Sequence, residues 1–189
     1  MAAESARLYV AALGNGSIEV VDLDKGTRVR SISGLKEPQG VAVAPDQHRL
    51  FVACAGDGAI IAYDTRSFEV LGRIKPGDDA DNMRYDPQLG LLYVGYGEGA
   101  VAALNPTTLE KRSEVHLRGH PESFQLETPG KRMFINVPGG FIGGGGSVAV
   151  ADRETGAILA TWRLSGAGRN FPMAADGVRV YVGCRRPAR

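Results

Sequence analysis

RLYVAALGNGSIEVVD, residues 7–22, returns as RLFVACAGDGAIIAYD at residues 49–64 and as LLYVGYGEGAVAALN at residues 91–105. Two looser copies follow, RMFINV from Arg132 with SVAVAD from Ser147, and RVYVGC from Arg179. The first marker therefore steps by 42, 42, 41 and 47 residues. A second marker keeps phase with it, ending at Asp22, Asp64, Asn105 and Asp152. Between the two sit Gly14-Asn15-Gly16, Gly56-Asp57-Gly58 and Gly97-Glu98-Gly99, and Asn-Gly or Asp-Gly pairs suit the positive φ angles of a hairpin turn. In the fourth copy that turn has grown into Pro138-Gly139-Gly140-Phe141-Ile142-Gly143-Gly144-Gly145-Gly146, which accounts for the longer step.

Each period reads as four short strands. In the second they are Gly40–Ala44, Arg49–Cys54, Ile60–Asp64 and Glu69–Ile74, separated by turns at Pro45-Asp46, Gly56–Gly58 and Thr65–Phe68. The middle two strands are nearly continuous apolar runs, as expected when both faces are covered. No stretch carries sustained helical amphipathicity with caps. Four-stranded units at a constant period near 42 residues predict an all-β chain, a β-propeller of antiparallel blades starting near residues 7, 40, 82, 123 and 171, in one domain. A β-sandwich leaves the constant period unexplained.

Length and composition agree. A chain of 189 residues with 43% apolar side chains can bury a sizeable core, and 26 glycines, about twice ordinary usage, imply many tight turns. With 22 basic and 21 acidic residues the formal charge is +1, so no broad basic field reaches for nucleic acid or an anionic bilayer. No apolar run approaches the length of a membrane-spanning helix. No export signal stands at Met1–Ala6.

The strands RLYVA and RLFVA, the glycine turn, the VVD and AYD steps and PQGVAVAPD resemble the YVTN/YncE-type β-propeller repeat, and the resemblance runs from Arg7 to Arg189. GDDADNMRYD from Gly77, GHPESFQLE from Gly119 and NFPMAADG from Asn170 are also similar to a subgroup of YncE proteins. The resemblance implies about seven blades, a periplasmic or secreted setting and no agreed catalytic activity. Against it, the chain starts in a second strand and stops after another, so that about four of seven blades are expected, an incomplete part of a larger ring. Phe171–Ala175 could instead close on Arg7–Ala12, with Arg179–Cys184 competing for the place. Open edges and apolar blade faces predict self-association, which a clean monomer in light scattering at high concentration would contradict.

Strand order puts the loops leading into each innermost strand, together with the Phe141 insertion, around the channel mouth. The candidate ligand residues are Gln39, Asp79, Asp81, Asn82, His120, Glu122, Phe141, Arg169 and Asn170. The expected role is non-catalytic binding of a small molecule or protein, without a cofactor. The alternative is a propeller enzyme of the lactonase, hydrolase or quinoprotein dehydrogenase kind, with Asp79, Asp81, His120, Glu122 and Arg169 as its catalytic candidates. No metal is expected. Asp78, Asp79 and Asp81 lack the closing bidentate acid of a calcium loop, and His120-Pro121-Glu122 fits no zinc spacing. His48 falls in a turn and His116 on an outer strand. Gly143–Gly146 lacks the lysine and helix of a phosphate-binding loop. Cys54 and Cys184 are in phase on non-adjacent blades, too far apart for a disulfide, and are expected as buried free thiols. Trp162 is expected to pack between blades from an outermost strand.

Overall fold

The computed structural model describes residues 6–97, 99–139 and 145–186. Contacts divide the chain into two compact units between Asp81 and Asn82. In the first unit β1 (Arg7–Ala12), β2 (Ser17–Asp22) and β3 (Thr27–Ser33) form one sheet. A second sheet holds β4 (Pro38–Ala44), β5 (Arg49–Cys54), β6 (Ala59–Asp64) and β7 (Val70–Ile74). In the second unit β8 (Met83–Asp86), β9 (Leu91–Tyr96), β10 (Ala100–Leu104) and β11 (Lys111–His116) form a third sheet. The fourth comprises β12 (Ser123–Leu126), β13 (Arg132–Val137), β14 (Ser147–Asp152) and β15 (Ile158–Arg163), and β16 (Gly168–Ala175) pairs with β17 (Val180–Arg186). Every pairing is antiparallel between strands adjacent in the chain, so the architecture is all-β, repeating and propeller-like.

The second marker is explained by its side-chain oxygen. Oδ1 of Asp22, Asp64, Asn105 and Asp152 accepts the backbone N–H groups two and three residues on, at 2.8–3.0 Å, which folds the turn into each outer strand. The glycine marker is explained by close approach. At Gly58, with φ of 68°, a Cβ would fall 1.9 Å from the Gly77 carbonyl oxygen. The carbonyls of Gly16, Gly99 and Gly146 accept from the N–H of Leu35, Leu117 and Leu164, so the enlarged fourth turn ends on the same bond as the short ones.

Middle strands are almost wholly buried, as β5, β6, β9 and β10 show. In the first unit Ile18 packs with Leu50, Val52, Ile61 and Tyr63. In the second Tyr93, Val101 and Val115 meet Phe124, Met133 and Ile135 across two sheets, while Phe134, Val148 and Val150 meet Met173, Val180 and Val182 of the last sheet. A buried ion pair reinforces the first of these interfaces. Arg153 Nε lies 3.0 Å from Asp86 Oδ2, and its Nη atoms donate to the Glu127 carbonyl and to Gln88 Oε1. Tyr93 donates its hydroxyl to the Arg153 carbonyl, and burial pushes its phenol well above the usual tyrosine range.

Several expectations change in detail. The lead strand of the second sheet starts at Pro38, because a bulge before Gly40 lets Pro38 pair with Cys54. The Pro45-Asp46 turn is a single 3-10 turn, Pro45–Gln47, closed by His48 in the left-handed region. Phe171–Ala175 lies inside β16 and pairs with β17. Both cysteines are free, and Cys54 is buried, but Cys184 is only half-buried, because its strand belongs to a two-stranded sheet. Trp162 stacks over Phe134, with ring centroids 5.6 Å apart, and remains 45% exposed. No helix of the described residues is long and apolar enough to cross a membrane.

Candidate functional site

The lead-in loops differ in what they do. In the first unit Gln39 is exposed at the β4 bulge. Glu37 and Asp79 both take a positive φ of 52° at matching places in their repeats, and Arg169 takes the same value in the second unit. The same left-handed backbone thus recurs at three of the lead-in segments. Asp78 is exposed and pairs with Lys75 at 2.8 Å, which holds its carboxyl below the usual range. An acid committed to a lysine is a poor calcium ligand. Asp81 is half-buried and ends the unit.

In the second unit three of the candidates meet. Asn82 donates its side-chain amide to the Glu122 carbonyl, and the Glu122 N–H donates to the Asn136 carbonyl at 3.1 Å. Glu122 is thus held on both sides by backbone bonds. Between it and His120, Pro121 is buried, with its ring against Gly95, where a Cβ would come within 3.1 Å of Cγ. His120 Nδ1 lies 2.6 Å from the Gly97 carbonyl oxygen. A carbonyl only accepts, so Nδ1 carries the proton, and in the neutral ring Nε2 is the lone-pair nitrogen. One ligand atom of His120 and one carboxylate oxygen of Glu122 lie within 4.8 Å of each other. Spacing along the chain argued against a metal here. Folding a buried proline against a glycine strand brings the two side chains within reach of one cation.

Asn170 belongs to a different structure. It was expected at a loop surface and is instead fully buried at the start of β16. Its amide donates to Asn136 Oδ1 and to the Ser147 carbonyl, while Asn136 donates to the Phe171 carbonyl and to Ser123 Oγ. Asn136 occupies the strand position held by Ala11, Ala53, Gly95 and Gly183 in the other repeats, and the network joins the last two sheets through it. Asn170 is thus interior to this network, and Asn82 holds the Glu122 backbone. Arg169 precedes this network and is half-buried. Phe141 lies outside the described residues.

A second concavity was missed by sequence reasoning. A groove of about 910 Å³ runs between β11 and β15, with Val137, Ala149 and Leu164 at its apolar side and Arg118 and Arg163 among its lining. Its residues come from outer strands and turns that share no motif, so no local pattern announces it.

No family profile and no curated protein matches the sequence. Solved structures do. A chain of Kuenenia stuttgartiensis hydrazine synthase superimposes with a TM-score of 0.87 at 18% identity, over 94% of this chain and 52% of that one. The computationally designed Ika8 protein gives 0.77 at 13% identity, over 98% and 54%, and the designed Ika4 protein 0.66 at 13%, over 81% and 88%. The chain spans about half the length of the first two. At these identities the likeness establishes the all-β repeating fold.

Proposed function

We propose that the sheets are blades of a β-propeller of the YncE kind, and that the loop bearing His120 and Glu122 binds a divalent transition-metal ion used to hydrolyse a small ester or lactone. The propeller reading draws support from the constant period, the four-stranded sheets and the structural likeness. In that reading the protein works in the periplasm or outside the cell, as the family resemblance implies.

The metal reading is carried by one observation: His120 is oriented through Nδ1 by the Gly97 carbonyl while Glu122 is pinned beside it. A carbonyl behind a ligating histidine fixes both tautomer and ring plane. Nitrogen and carboxylate donors suit zinc, manganese or iron better than calcium. His120 and Glu122 would hold the ion, which would supply polarisation of a carbonyl and a more acidic water. Asp81 occupies in its repeat the position of Glu122 in the next, two residues before the strand residues Met83 and Phe124 that pair with Val94 and Ile135.

Thermal melting with zinc, manganese or calcium tests the reading. Zinc at about 100 times its dissociation constant should stabilise the fold by about 2.7 kcal/mol. His120→Asn and Glu122→Gln should abolish that shift. Hydrolysis of phenyl acetate or dihydrocoumarin should require the same ion and the same two side chains. The absence of a shift with every ion, or an equal shift in both variants, overturns the metal site. A shift without turnover overturns hydrolysis and leaves a non-catalytic binding protein.

A further inference from the structure

We infer that the groove between β11 and β15 is a second ligand site, specific for a small amphipathic organic anion with a phosphate or carboxylate head and an apolar body. Its lining combines His116, Arg118 and Arg163 with the hydroxyl residues Ser147, Thr161 and Ser165, and among the described residues contains no aspartate or glutamate. Such a concentration of donors is uneven for a chain whose formal charge is only +1. Arg28, Arg73, Arg112, Arg132 and Arg153 each face a carboxylate. Arg118 and Arg163 form no ion pair among the described residues. Two guanidinium groups left to solvent at one concavity present forked donors that match a carboxylate or a phosphate.

The apolar half of the specificity comes from the floor. Val137, Ala149, Ile158 and Leu164 line the same groove, so an inorganic anion would satisfy the arginines and leave this surface wet. A ligand with both a charged head and an aryl or alkyl body covers both.

The groove is also built rather than incidental. The turn that forms one wall is bonded to Gly146 at two points, Gly146 N–H to the Ala167 carbonyl at 2.9 Å and Leu164 N–H to the Gly146 carbonyl at 2.8 Å. Behind it, the fully buried Asn170 donates to the Ser147 carbonyl at 2.9 Å, which fixes the adjacent floor strand. Beside the lining, Glu114 lies 3.5 Å from His116 Nε2. Burial raises the Glu114 carboxyl, but hydrogen bonds from Tyr96 and Lys111 outweigh it and hold the group below its usual range. That carboxylate is thus shared among three donors, which blunts its competition with a ligand for the two arginines.

Equilibrium binding of 1-naphthyl phosphate, followed by its fluorescence, tests the site, with 1-naphthol and inorganic phosphate as the two partial ligands. The full probe should bind at least about tenfold more tightly than either part and weaken as salt rises. Arg118→Gln/Arg163→Gln should reduce its affinity at least about tenfold while leaving naphthol binding and the melting temperature unchanged. His120→Asn should leave the affinity untouched, which separates this site from the metal loop. Equal affinity for naphthol and its phosphate, an unaffected double variant, or failure of the probe to bind would each overturn the assignment.

Discussion

Replacing Arg153 by methionine removes the cation from a deeply buried ionic contact of the second unit while keeping most of the side-chain volume. Arg153 and Asp86 have side chains only 2% and 3% exposed. The substitution leaves the Asp86 carboxylate without its counter-charge and also frees the Glu127 carbonyl and Gln88 Oε1, which the guanidinium satisfies at 2.8 and 2.6 Å. Breaking a buried pair from one side costs about 3–5 kcal/mol, mostly the uncompensated charge. Removing both partners, as Arg153→Met/Asp86→Leu, should recover at least about 2 kcal/mol of that loss, because the two groups are coupled. Urea unfolding followed by Trp162 fluorescence is the assay, since this single tryptophan stacks on Phe134 within the same unit. A loss below about 1 kcal/mol for Arg153→Met, or a double variant as unstable as the sum of its parts, would refute the reasoning.

Further outcomes follow from the turns and the thiols. Asp64 and Asp152 are held below the usual carboxylate range, first by the N–H groups of Ser67 and Thr155 respectively. A depressed folded-state value means the stabilisation is complete above the unfolded value near 3.9 and is lost as pH falls through the folded value. Melting temperature should therefore be flat from pH 7 to 5 and fall below about pH 4, and Asp64→Asn/Asp152→Asn, which keeps the acceptor as Asn105 does, should flatten that fall. Gly58→Ala meets both a positive φ and a backbone oxygen and should cost at least about 2 kcal/mol in urea unfolding, whereas Gly90→Ala, with φ of 61° and open space, should cost about 1. A thiol reagent should label Cys184 in the native protein, and Cys54 only on unfolding, because Cys54 is buried and burial raises its thiol pKa.

The strands were legible because their signal is local: apolar runs at a fixed period, cut by glycine turns. The phase of Asp22, Asp64, Asn105 and Asp152 was equally plain, yet its purpose, an oxygen accepting two turn amides, needs coordinates. At the lead-in loops the sequence located His120 and Glu122 but not their cooperation, which depends on the buried ring of Pro121 packing on Gly95. Asn170 misled for the opposite reason: a polar residue before a strand reads as surface, and only its distant partners Asn136 and Ser147 show that it is interior. The Asp86–Arg153 pair and the β11–β15 groove join segments far apart in the chain and carry no motif, so nothing local could have revealed either.

The most direct test of the account is the anomalous difference density of crystals soaked in zinc at the zinc edge. The account predicts a peak about 2.1 Å from His120 Nε2 and from a Glu122 carboxylate oxygen, absent in His120→Asn. Zinc that binds elsewhere and touches neither side chain would contradict it.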